Sequence, residues 1–324
     1  MKGFTTAVLL AALSAAVGST DLRADNYPSQ PVRIIVPNAA GGVLDIAARK
    51  IMDKVSKSMG QPVIIDNKPG ANGFIAAEAA AKAKPDGYTV FLASVSHLCT
   101  NPSLYASLPY DPVRDFAPVT LGASGQPVLM VNPQLPVRTL GEFIAYVRAR
   151  PGKVTYGSPG VGSPQHLAMV HFEQLTGAQM VHVPYKNSPQ VLTDLIGDQI
   201  HAAVEYASMA APHVQAGKLR GLAVVGSHRK PALPDIPTAA EAGLPGFEIT
   251  AWYGYVVPAG TPPEIVARLH KELTAALKSK EYVEFVESFG STVVASTPEQ
   301  FAATMKQERT RLAKIIAEAG IRLD

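Results

Sequence analysis

The chain has 324 residues, 29 of them basic and 26 acidic, for a net charge of +3. That balance excludes the clustered basic face a nucleic-acid binder needs, while 47% hydrophobic residues supply material for a core of one or two domains. The single cysteine, Cys99, excludes an internal disulfide, so stability rests on burial. Lying just past a strand-like run, it reads as a buried, inert thiol.

Lys2 precedes an uncharged run from Ala7 to Val17 (AVLLAALSAAV), followed by Leu22-Arg23-Ala24. A positive start, a short apolar stretch and a small residue at the cut describe a secretory signal peptide. The run is too short for the roughly 20 apolar residues of a membrane span. Residues 1–24 are expected to be removed after Ala24, leaving a periplasmic protein of 324 − 24 = 300 residues.

The mature chain alternates strand and helix signals, the pattern of an α/β fold. Val32–Val36 predicts a strand, broken at Ala40-Gly41-Gly42, and a helix follows from Val43 to Met59, stopped by Gly60. In that helix Leu44, Ala47, Ala48, Ile51, Met52, Val55 and Met59 share one face. Pro62–Ile65 is a second strand, Asp66–Gly73 a turn, Phe74 to about Ala83 a helix, and Tyr88–Ala93 a strand. The pattern repeats with strands Val128–Val131, Thr155–Gly157, Val181–Val183, Ile200–Val204 and Leu219–Val225. Helices Leu140–Arg150, Gln165–Leu175 and Pro189–Ile196 fall between them. Ser227–Gly246 reads as an ordered surface excursion. A strand at Ala251–Val257 and helices Glu264–Ser279, Lys280–Phe289 and Pro298–Ala319 close the chain.

Two loops carry the chemistry. Asn38-Ala39-Ala40-Gly41-Gly42 joins a strand to a helix amino terminus, where unpaired N–H groups and the helix dipole favour an anion. It lacks the Lys-Ser/Thr of a Walker A loop and the third glycine of a dinucleotide fingerprint. Ser158-Pro159-Gly160-Val161-Gly162-Ser163 again leaves a short strand and opens a helix, with Ser163 as its expected cap. Two such loops, one from each half of the chain, could grip two ends of one anion. Ser94 and Ser96, Tyr185, and Glu205 stand behind other strands as further candidate contacts.

Enzymatic signals are weak. The chain has no Gly-x-Ser-x-Gly elbow, no His-Glu-x-x-His and no Cys-x-x-Cys, and its eight histidines are scattered. An exported hydrolase built on Ser158 or Ser163 stays open as an alternative, as do a ligand-dependent sensor and a structural envelope protein.

Tyr27-Pro28 with Pro31-Val32-Arg33-Ile34-Ile35-Val36-Pro37, and Ala40-Gly41-Gly42 with Asp45, open a series of motifs that runs in order through nearly the whole mature sequence. In these motifs the chain resembles the periplasmic substrate-binding proteins of tripartite tricarboxylate transporters, the Bug proteins. Further matches are Asn67-Lys68-Pro69-Gly70-Ala71-Asn72-Gly73, Pro85-Asp86-Gly87-Tyr88 and His97 with Asn101-Pro102. Tyr156-Gly157-Ser158, Val183-Pro184-Tyr185-Lys186 and Trp252-Tyr253-Gly254 complete it. The resemblance implies a type II-like two-lobe binding protein, each lobe a mostly parallel sheet flanked by helices, monomeric, and without cofactor or metal. Residues 25–124 plus 225–324 would form one lobe and 125–224 the other, with a small organic carboxylate between them for delivery to the membrane permease. By the same resemblance, Asn38, Ala39, Ala40, Gly41 and Gly42 would hold the carboxylate from one side. Ser158, Gly160, Gly162 and Ser163 would hold it from the other. Asn38-Ala39-Ala40 stands where an aromatic or a proline pair is common, and Glu205 where an aspartate is frequent, so the ligand's identity is left open.

Overall fold

The computed structural model describes residues 27–323, so the expected signal peptide lies outside the described residues. Eleven strands among these residues form two sheets. The first is built from β1 (Val32–Val36), β2 (Val63–Asn67), β3 (Thr89–Ser94), β4 (Phe116–Gly125), β10 (Ala251–Pro258) and β11 (Ser291–Val293). Its spatial order is β11-β4-β10-β3-β1-β2. The second holds β5 (Pro127–Val131), β6 (Thr155–Ser158), β7 (Val181–Pro184), β8 (Ala202–Tyr206) and β9 (Arg220–Val224), in the order β7-β6-β8-β5-β9.

Each sheet has a parallel part and an antiparallel part. β1 pairs parallel with β2 and β3, while β10 and β11 run antiparallel to their neighbours. In the second sheet β6 pairs parallel with β7 and β8, and β5 runs antiparallel to β8 and β9. The parallel parts are βαβ units, with α1 (Val43–Met59) and α2 (Phe74–Ala81) in the first sheet. In the second, α5 (Pro164–Thr176) and α6 (Ser188–Ile196) do the same work, and α4 (Leu140–Arg148) leads from β5 to β6.

Burial explains why these runs fold as they do. Val32, Ile34 and Val36 of β1 pack on Ile51 and Val55 of α1 and on Leu269 and Leu273 of α8 (Pro263–Leu277). Ile35 faces the other way, toward Ala76 and Ala77 of α2 and Phe91. Covered on both faces, β1 is apolar without a break over Ile34–Val36, with only Arg33 exposed. In the second sheet, Leu129 and Val131 pack with Phe143 and Phe172, whereas Val128 and Met130 face Val191 and Leu195.

The chain passes between the sheets at residue 126, between β4 and β5, and again over 225–250, between β9 and β10. The two crossings touch, Gln126 Nε2 donating to Ser227 Oγ at 3.1 Å. The excursion at 227–246 is ordered, with Leu233 and Ile236 buried and Val224 bridged to Thr238. Helix α10 (Pro298–Glu318) makes a third link. Phe301 and Ile315 join the core cluster that also holds Phe91 of the first sheet and Phe172 beside the second. After α8 comes α9 (Lys280–Ser288), and none of the described helices is long and apolar enough to cross a membrane.

Four elements had no clear sequence signal: β4, β11, the helical turns at 96–104 ending in α3 (Asn101–Leu104), and α7 (Ala207–Gln215). Pro118, Gly122 and Gly125 break the alternation of β4, and the strand is fixed by its long pairing with β10. Pro212 lies inside α7, where propensity opposes a helix and packing of Ala207, Ala210 and Ala211 supplies it.

Candidate ligand-binding cleft

A cleft of about 1020 Å³ opens between the sheets. Its walls come largely from loops that leave the carboxyl ends of β1, β3, β6 and β8, where open α/β sheets present their ligand sites. Among the described residues no Arg, Lys, Asp or Glu side chain lines it. Polarity comes from amides, hydroxyls and one imidazole. An anion here would meet fixed dipoles and no countercharge.

The first loop, 37–42, feeds α1. Gly41 adopts φ +83 and its N–H donates to Asp45 Oδ2 at 2.8 Å. Asp45 stands at the third helical position and also accepts from Arg49 Nε (3.0 Å) and Asn67 Nδ2 (2.9 Å). Asn67 in turn donates to Asn38 O at 2.9 Å, closing the loop on itself. Burial pushes the Asp45 carboxyl upward, but these hydrogen bonds outweigh it and hold the group below the usual carboxylate range. The N–H groups of Gly41 and Gly42 are therefore occupied, the latter by Ala39 O. Those of Asn38, Ala39 and Ala40 find no acceptor among the described residues.

The second loop, 158–163, repeats the device. Gly162 adopts φ +78 and its N–H donates to Nδ1 of His166, again at the third helical position. Ser163 caps α5, its Oγ accepting from His166 N (3.2 Å) and donating to Gly160 O (2.7 Å). A Cβ on Gly162 would stand 2.6 Å from Leu104, so glycine is required there by space as well as by φ. The Val161 N–H has no acceptor among the described residues.

The third wall is the start of α7. Tyr206 provides no side-chain cap, so the first N–H groups of α7, beside Ser208 and Met209 at the cleft, have no acceptor among the described residues. Opposite lies His97, whose Nδ1 accepts from Ser94 N at 3.0 Å, which leaves the proton on Nε2. Burial pushes its pKa down to about 4, so the ring is neutral near pH 7.

Of the residues singled out from sequence, Asn38, Ala39, Ser94, Ser96, Gly160, Gly162 and Ser163 line the cleft. Ala40, Gly41 and Gly42 belong to the same first loop but lie outside the lining. Three others point elsewhere. Ser158 is buried beneath its loop, 2.7 Å from His182 Nε2. Tyr185 donates its hydroxyl to Asp194 at 2.7 Å. Strand alternation brings Tyr206 to the cleft and turns Glu205 into the interior. There Gln165 Nε2 lies 3.3 Å from Glu205 Oε2, and burial raises the carboxyl's pKa.

Asp45, His97 and His166 were missing from the expected set. A signal existed for two of them: each stands four residues after a loop glycine, in Gly41-Gly42-Val43-Leu44-Asp45 and Gly162-Ser163-Pro164-Gln165-His166. Cys99 is buried, with its thiol pushed up to about 12, an inert group.

Residues 47–321 match the family described as Tripartite tricarboxylate transporter family receptor. Protein BugT of Bordetella pertussis is 38% identical over 301 residues, covering 93% of this chain and 92% of its own. The R. palustris protein Rpa4515, solved with adipate, superposes with a TM-score of 0.77 at 35% identity, covering 91% of this chain and 99% of that one. MatC from Rhodopseudomonas palustris, solved with bound malate, gives 0.74 at 31% identity, covering 90% and 100%. With two sheets, an uncharged cleft and likeness along nearly its whole length, the chain belongs to the tripartite tricarboxylate transporter receptors of the Bug group, periplasmic solute-binding proteins that are receptors and not enzymes.

Proposed function

We propose that this receptor captures a small organic carboxylate in the cleft and delivers it to the membrane subunits of a tripartite tricarboxylate transporter. The observation that carries the reading is a cleft whose polar groups carry no charge, bordered by the uncapped start of α7 at Tyr206 and by N–H groups at Asn38, Ala39 and Val161 that have no acceptor among the described residues. Such donors stabilise a carboxylate by dipole and hydrogen bond. The adipate and malate named for two similar proteins support the same class. Asn38, Ala39, Ser94, Ser96 and Ser163 are the contacts we assign, with Gly160 and Gly162 shaping the second loop. The mature chain acts as a periplasmic monomer after loss of residues 1–24. Residues 25–124 plus 225–324 and 125–224 act as its two lobes, hinged at the touching crossings near 126 and 227.

The cleft lacks an acidic side chain for an ammonium group, so the ligand carries carboxylate without amine. Calorimetry on the purified mature protein with adipate, malate and glutamate tests this. A dicarboxylate without an ammonium group, adipate or malate, should bind at least tenfold more tightly than glutamate, and a ligand at 100 times its Kd should add about 2.7 kcal/mol to stability. Failure of every carboxylate at millimolar concentration, or equal affinity for glutamate, would overturn the reading.

A further inference from the structure

His166 and His182 lie under the second loop and form a pair that ligand contact alone does not explain. Their rings stack with centroids 4.0 Å apart and planes at 28°. Tyr156 lies beside both rings, its centroid 5.0 Å from that of His182 and 6.3 Å from that of His166. Each imidazole governs one loop glycine. His166 Nδ1 takes the Gly162 N–H directly at 3.1 Å. His182 Nε2 lies 2.7 Å from Ser158 Oγ, which receives the Gly160 N–H at 3.2 Å and reaches Gly160 O at 3.0 Å.

The protons can be placed. A backbone N–H only donates, so His166 Nδ1 is bare and its proton sits on Nε2. Ser158 has one hydroxyl hydrogen; directing it to Gly160 O requires His182 to donate from Nε2. A second proton on His182 would go to Nδ1 and spare the Ser158 contact. A second proton on His166 has only Nδ1 to occupy, where it would confront the Gly162 N–H donor to donor. The neighbouring ring would then lie 4.0 Å from a cation. Loop 158–163 would have to turn.

We propose that the His166–His182 stack is a proton-sensitive latch on the ligand loop: the neutral pair holds Gly160 and Gly162 in binding shape, and protonation of His166 releases them. This rests on the carboxylate reading above, whose site it regulates. Both imidazoles are pushed down to about 4, His182 by burial and His166 by burial together with the facing His182 ring. The titratable groups facing His166 are His182 of β7 and Tyr156 of β6, the latter beside Glu173 of α5. One residue along, Gln165 engages Glu205 of β8. Leu104, facing Gly162 from the other side of the cleft, carries no charge.

The test has a ligand-free arm and an adipate arm. In the ¹⁵N-labelled apo protein, the Gly162 amide signal should move together with the His166 ring nitrogens as pH falls from 6 to 3, and Gly160 should follow. His166→Gln keeps an acceptor for the Gly162 N–H without a titrating proton, so its Gly162 signal should stay fixed. For adipate at pH 7, His166→Phe should weaken binding about tenfold and His166→Gln should recover most of that loss, as expected if acceptor geometry is what matters. At pH 3 a group titrating at about 4 leaves about one molecule in ten neutral, so wild-type affinity should fall about tenfold further than that of His166→Gln. The comparison cancels the titration of adipate itself. A Gly162 amide indifferent to His166 titration, or the same acid transition in His166→Gln, overturns the latch. If wild type binds no carboxylate at pH 7, the carboxylate reading takes that failure, and the ligand-free amides still decide the latch.

Discussion

The two loops that meet across the cleft use one backbone device with two different acceptors. In each, a glycine at positive φ precedes the helix cap and gives its N–H to the side chain at the third helical position. In the first loop that side chain is the Asp45 carboxylate, held ionised by Arg49 and Asn67. In the second it is the neutral His166 imidazole stacked on His182. The comparison teaches that glycine-rich loops beside a cleft can spend their glycine N–H groups internally. Those groups fix the loop, while the neighbouring N–H groups at Asn38, Ala39 and Val161 have no acceptor among the described residues.

The sharpest way to break the symmetry is to remove the acceptors one at a time. Asp45→Ala strands three donors, one of them charged, and should cost about 3 kcal/mol. Arg49 is half-exposed and recovers hydration, so the loss stays below that of a fully buried pair. His166→Ala strands one neutral donor and should cost about half as much. Urea unfolding midpoints at pH 7 measure both, and equal losses would mean that the two acceptors are equivalent.

The glycines themselves separate next. Gly41→Ala suffers only its backbone, since no atom lies within 4 Å of a Cβ there, and should cost about 1 kcal/mol. Gly162→Ala adds a Cβ 2.6 Å from Leu104 Cδ1, the end of a side chain that can shift, so about 2 kcal/mol is expected. Because Leu104 belongs to the other wall of the cleft, Gly162→Ala should also weaken carboxylate binding more than Gly41→Ala. Calorimetric Kd values for both variants check the ranking.

Much of this pattern was legible in the sequence, and its limits are physical. Apolar runs such as Ile34–Val36 announced buried strands, and Gly60 and Gly73 marked helix borders. Both loops were recognisable as helix entrances. What a linear reading could not supply was the third dimension of each loop: which N–H groups are consumed inside, and which side chains consume them. His166 and His182 are sixteen residues apart in sequence and stack only because β7 runs beside β6. Glu205 looked exposed to ligand because it ends a strand, but the alternation of β8 gives that place to Tyr206. Strand β4 escaped notice because its partner β10 lies over a hundred residues away, and pairing with it decides the conformation.

The pH dependence of stability should divide the two loops as well. The folded protein holds His166 and His182 at about 4, against about 6.5 for a free histidine. The unfolded chain therefore takes up those protons first, and their contribution, complete above pH 6.5, is lost as pH falls from about 6.5 to 4. His97, at about 4 where the chain leaves β3 at the cleft, adds a share of the same sign. Asp45, lowered from its ordinary value, contributes fully above about pH 3.9 and is lost only below that. Denaturation of His166→Gln from pH 7 to 4 should thus give a shallower decline than wild type. A variant with unchanged slope would place the acid sensitivity outside the second loop.

The smallest expected effect concerns the caps. Helix α1 begins at Gly42 without a side-chain cap, while α5 begins at Ser163 with one. Replacing a serine cap by alanine costs about 1 kcal/mol, and by glycine a few tenths. Ser163→Gly makes the second helix start resemble the first, so it should lose less global stability than Ser163→Ala. Ser163 Oγ also donates to Gly160 O at 2.7 Å, and that bond is lost in both variants. Carboxylate affinity should therefore fall by a similar factor in Ser163→Ala and Ser163→Gly even though their stabilities differ. Urea midpoints and calorimetric Kd values on the pair separate cap from loop; affinities that track stability would assign Ser163 to the helix alone.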